Sequence, residues 1–123
     1  MLKLLKYLLS VSIFWFFATS ASAIEFIEGL EDIPIANGLK QQPLDDISFG
    51  NEESRFVEAI LSGQKVRFAS VEKFYQDTLP QMGWHFQGRK KNSLYFYRDR
   101  EILEITRENI QPLTIRITVK SKN

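Results

Sequence analysis

No cysteine occurs anywhere in the 123 residues. That absence excludes a disulfide framework, a thiolate metal site and a cysteine nucleophile, and it leaves no thiol to mispair in an oxidising compartment. Histidine occurs once, at His85, so the sites built from paired imidazoles or from His with Cys have no second member. The six glycines are scattered at turns and form no phosphate-cradling loop. No apolar run reaches the roughly 20 residues that a membrane-crossing helix needs. These absences leave no implied cofactor, no metal site and no catalytic set.

The start of the chain carries the clearest positive signal. Lys3 and Lys6 precede an apolar run over 7–18, and Ala21-Ser22-Ala23 supplies the small residues accepted at a cleavage site. This pattern predicts a signal peptide over 1–23 and a mature chain beginning at Ile24. An uncleaved N-terminal anchor is the rival reading. No cysteine follows the run, which excludes a lipid-modified anchor. The expected location is the periplasm or the medium, with no stable membrane span after cleavage.

About 100 residues then remain, a length that buries roughly 60–70% of its unfolded surface and supports one modest core. Ten Phe, four Tyr and two Trp are ample for it. The small net charge of +1 conceals an asymmetry. Residues 24–58 carry nine acids against Lys40 and Arg55, whereas 59–123 carry twelve bases against six acids. The ordinary explanation is an acidic arm folding back onto a basic body; the functional one is a basic face offered to an anionic envelope component.

Over 24–46 no period is sustained, because Gly29, Pro34, Asn37-Gly38 and Pro43 interrupt it. The stretch is expected to be an acidic extended arm, with Ile33, Ile35 and Leu39 able to pin it. A single domain over 47–123 follows. In its first part Phe56, Val57, Ile60 and Leu61 fall at helical spacing, while a strand over 55–62 paired back on Ile47-Ser48-Phe49 competes. The best-marked helix runs over 70–84. Ser70 is its expected N-cap, Val71, Phe74, Tyr75, Thr78 and Leu79 share one face, and Pro80 and Gly83 close it. Beyond Trp84 the pattern changes to period two, through 84–87, 94–97, 101–108 and 113–119, with a basic turn over 88–93. Four strands with short connections make an antiparallel meander whose apolar face the helix can cover.

Several of these patterns together resemble a group of small exported proteobacterial proteins without an assigned activity. They are Asp32-Ile33-Pro34-Ile35-Ala36-Asn37-Gly38-Leu39, the helix motif Phe74-Tyr75, Leu79-Pro80 and Gly83-Trp84, and the closing strands at 101–105 and 114–119. Asn37 stands where the group's pattern carries Pro. The resemblance implies an exported address and a strand over 55–62. The expected architecture is therefore α+β, one amphipathic helix packed on an antiparallel sheet in the order β-β-α-β-β-β-β.

The candidate binding surface is basic and aromatic. Arg89, Lys90 and Lys91 lie in the expected hairpin loop, beside a strand carrying Tyr95 and Tyr97. Arg98, Arg107 and Arg116 would join them if all lay on the open face of the sheet. Cross-strand Tyr–Arg packing explains such a set without a ligand. In a cytosolic protein it would suggest single-stranded nucleic acid, but export argues against that partner. The leading expectation is a non-enzymatic envelope protein that binds a protein partner or an anionic envelope component. The alternatives are a small hydrolase using carboxylates and His85, or a purely structural subunit. For the hydrolase, Asp45-Asp46, Glu52-Glu53 and Glu101 with Glu104 are the carboxylate pairs present.

Overall fold

Strict alternation over 113–121 sets the centre of the structure. The computed structural model describes residues 23–43, 48–50 and 55–121. Residues 1–22 of the expected signal peptide 1–23, Ile47, and the pairs Asp45-Asp46 and Glu52-Glu53 lie outside the described residues. Strand β9 (Leu113–Ser121) buries Leu113, Ile115, Ile117 and Val119 and turns Thr114, Arg116, Thr118 and Lys120 to the other face. It pairs antiparallel with β8 (Glu101–Asn109) on one side and β5 (Arg55–Gly63) on the other. From β8 the meander continues through β7 (Ser93–Arg98) to β6 (His85–Lys90), which ends the sheet. The opposite edge of β5 is shared by two short strands, β3 (Lys40–Gln42) and β4 (Ser48–Gly50).

The segment with competing helix and strand patterns is thus a strand, and β4 pairs with it as Ser48↔Val57 and Phe49↔Phe56. Val57, Ala59 and Leu61 enter the core, while Phe56 and Ile60 lie half-buried on the opposite face. An apolar residue on both faces is what made the period ambiguous.

Helix α1 (Phe68–Thr78) crosses the apolar face and buries Phe68, Val71 and Tyr75. It begins earlier than its cap signal suggests. Arg67, in extended conformation, precedes it without a side-chain cap, and Ser70 lies inside the first turn. Seating a Phe side chain in a core is worth about 1.5–3 kcal/mol, against about 1 kcal/mol for a cap. Burial of Phe68 therefore sets the start. The α-helix ends at Thr78, and a 3₁₀ turn over Leu79–Met82 follows with Pro80 in its first positions. Gly83, at φ 91°, reverses the chain, a left-handed conformation that glycine takes without a Cβ penalty. Phe74 is only partly buried, packed against the core from the side.

The acidic segment is more than an extended arm. β1 (Phe26–Ile27) and β2 (Leu30–Pro34) form a hairpin, and Ile27, Leu30, Ile33, Ala36 and Leu39 are buried in the same cluster as the sheet residues. The hairpin and α1 together cover the apolar face. Tyr75 joins them: its hydroxyl donates to the Pro34 carbonyl at 2.8 Å and accepts from the Ala36 amide at 3.2 Å. The expected helix–sheet architecture stands, with three N-terminal strands added to it.

Candidate functional site

Two rows of side chains cross the face of the sheet that α1 and the hairpin leave open. Ladder pairing aligns His85, Tyr97, Ile102, Lys120 and Phe56 across β6, β7, β8, β9 and β5. The next row on the same face contains Tyr95, Glu104, Thr118 and Glu58. The first row is largely apolar: the His85 and Tyr97 rings stand 5.1 Å apart, and Tyr97 is exposed. In the second row the Tyr95 hydroxyl donates to Glu104 at 3.2 Å, and Thr106 donates to the same carboxylate oxygen at 3.1 Å.

A groove of about 390 Å³ opens where these rows meet β6, lined by Gln87, Gly88, Arg89, Lys90, Tyr95, Ile102 and Lys120. The lining thus combines the apolar Ile102 and the Tyr95 ring with two lysines. The bulge between Phe86 and Gly88 shapes it, since an extra residue bends the strand and re-aims its side chains. Neither Lys90 nor Lys120 makes an ion pair among the described residues.

Of the expected surface, the structure gathers only part. Tyr95, Tyr97, Lys90 and Arg116 lie on the open face. Arg116 is already matched, pairing with Glu58 of β5 and Glu108 of β8. Arg98 and Arg107 are corrections, for both lie on the covered face. In β7 the inward phase is Leu94, Phe96, Arg98, and in β8 it is Leu103, Ile105, Arg107. The Arg98 guanidinium stacks 4.2 Å over the Trp84 ring, donates to the Met82 carbonyl at 3.1 Å and pairs with Asp32. That of Arg107 stands 5.5 Å over the Phe68 ring. An arginine stem covers apolar surface while its head finds a ring or a carboxylate, so strand phase prevails over charge at these two places. Arg89 pairs across to Glu72 of α1 at 3.1 Å. Nor is 88–93 a loop, because β6 runs through Lys90 and only Lys91-Asn92 make the turn, Lys91 at φ 57°.

The groove residues that the expected set omitted are Gln87, Gly88, Ile102 and Lys120. Lys120 was within reach, since it falls on the polar phase of the closing strand and the β8–β9 register sets it against Ile102. Of the expected carboxylate pairs, Glu101 and Glu104 are each engaged with other partners, Glu104 with Tyr95 and Thr106. Glu101 pairs with Arg55 and holds that guanidinium above its ordinary pKa, chiefly through their hydrogen bond. Among the described residues no group of three His, Cys, Asp or Glu side chains comes together, and the His85 ring meets Tyr97 rather than a carboxylate.

A second concavity, of about 300 Å³, lies between the 35–40 segment and Phe74, beside Ile24. Among the described residues no helix is long and apolar enough to cross a membrane. Fold and surface define a two-layer α+β protein with one sheet face open. No family model, curated protein or solved structure matches the chain.

Proposed function

We propose that the chain is an exported, non-enzymatic binding module whose open sheet face takes an anionic partner. The observation that carries this reading is the groove beside β6, whose lining includes the apolar Ile102, the Tyr95 ring, and Lys90 and Lys120, which make no ion pair among the described residues. A surface cation with no internal partner is available to an external one, and an apolar floor next to it adds contact area without charge. The address comes from the leader pattern of 1–23 and from the likeness to small exported proteobacterial proteins. Among the described residues of the acidic half, Asp32 and Glu58 pair with Arg98 and Arg116 rather than with Lys90 or Lys120.

The test uses the mature chain from Ile24 against two anionic probes, phosphatidylglycerol vesicles and a glutamate-rich peptide. At least one should bind, and its affinity should fall steeply with salt as screening dictates. Lys90→Glu with Lys120→Glu should weaken that binding tenfold or more and flatten the salt dependence. Failure of both probes to bind, or binding indifferent to the double reversal, would overturn the reading.

A further inference from the structure

Resting on that reading of the open face, we infer that the free edge of β6 is a docking site for an acidic, extended segment of a partner protein, which adds to the sheet as a further strand. β6 is six residues long and ends the sheet order. It pairs only with β7, and no backbone hydrogen bond from any other described segment reaches it. Its outward N–H and C=O groups therefore form a template for another chain. The opposite edge differs, since β3 and β4 both lie against β5 and occupy its two ends.

A strand laid along β6 sends alternate side chains to the two faces of the sheet. Those on the open face fall beside His85 and into the groove with Lys90. Those on the other face meet Phe86, which is exposed, and Arg89. The charge these side chains encounter is mainly positive. Arg89, Lys90 and Lys91 are consecutive, β6 contains no acid, and among the described residues only Arg89 of the three has an acidic partner, Glu72. Main-chain pairing supplies the affinity in this mode of recognition, and flanking side chains select the sequence.

Two other occupants fit less well. A second copy of the chain, joined β6 to β6, would bring two clusters of Arg89, Lys90 and Lys91 to one seam, where like charges repel. An anionic membrane would satisfy the lysines but offers no ordered main chain to pair with the β6 edge. An acidic strand satisfies both. The bulge and the lysines that keep β6 from pairing with apolar strands are then the features that select an acidic one.

A fluorescent synthetic peptide alternating Glu with Thr or Val is titrated into the mature chain, and amide hydrogen exchange is read across His85–Lys90. Saturable binding with slowed exchange in β6, and a tenfold or greater loss on Lys90→Glu, is the expected result. A peptide of the same charge with Pro at alternate positions cannot donate to the ladder and should not bind. If the Pro peptide binds as well as the parent, or if phosphatidylglycerol vesicles bind and the peptide does not, strand addition is overturned while the anionic reading of the face stands. If no anionic probe binds, both fall.

Discussion

Tyr75 shows how much one hydroxyl ties together. The ring is fully buried, and its oxygen bridges the carbonyl of Pro34 and the amide of Ala36. Tyr75→Phe keeps the ring but leaves both backbone groups unpaired inside the protein. Such a loss costs about 1–3 kcal/mol, measurable as a lower urea midpoint with an unchanged slope. Burial also drives the phenol's pKa well above its ordinary value, only partly offset by the Ala36 amide. The folded protein therefore retains a proton that the unfolded chain gives up above about pH 10. Stability must then fall as pH rises through that range, by up to about 1.4 kcal/mol per unit for this one group. The Phe variant should show a shallower alkaline decline than the parent in urea melts between neutral and strongly alkaline pH. Equal slopes would mean that the phenol is not shielded.

Among the elements, the turn at 36–39 lies close against the end of β5. A Cβ on Gly63 would stand 2.3 Å from the Gly38 carbonyl oxygen and 3.1 Å from a Leu39 methyl. The first neighbour is backbone and cannot rotate away, so Gly63→Ala must displace either the turn or the Lys40↔Ser62 pairing. Overpacking of this kind costs about 1–3 kcal/mol, and faster amide exchange at Lys40–Gln42 should accompany the loss of stability. Unchanged exchange there would show that the contact relaxes elsewhere. This approach joins residues 25 apart along the chain, which is why no local pattern announced it. The same holds for β1 and β2. Ile27, Leu30 and Ile33 are legible as apolar, but strands of two and five residues are too short to show a period. The inward helix positions Val71, Tyr75 and Leu79 and the alternation of the closing strands, where period and burial agree, were legible, whereas the helix start at Phe68 and the run of β6 through Lys90 were not. For the site, the phases of Tyr95, Tyr97, Arg98 and Arg107 were all written in the alternation. Only the assumption that cations face water hid where the last two go.

At the scale of the whole molecule, the charge asymmetry resolves into ion pairs that join the two halves of the chain. Asp32 of the hairpin meets Arg98 of β7, and Glu58 of β5 meets Arg116 of β9. Arg98 is the more consequential, because it also holds the Met82 carbonyl and covers the Trp84 ring. Through it the hairpin, the 3₁₀ turn and the sheet share one side chain. Its energetic share is limited by solvent, since Asp32 is 41% exposed while Arg98 is 22% exposed, and a half-exposed pair is worth at most about 1 kcal/mol. The carbonyl hydrogen bond adds about as much again. Arg98→Met preserves a stem over Trp84 and removes only the charge and the donors. A destabilisation of about 1–2 kcal/mol is expected on these figures, smaller than the loss from deleting a core side chain. The coupling role makes a separate demand. Amide exchange in the hairpin should quicken in the Met variant beyond what the global loss accounts for, while exchange in β8 and β9 should follow the global change alone. Uniform quickening across hairpin and sheet would reduce Arg98 to an ordinary surface ion pair, and the acidic segment would then be held by Tyr75 and by the burial of Ile27, Leu30 and Ile33.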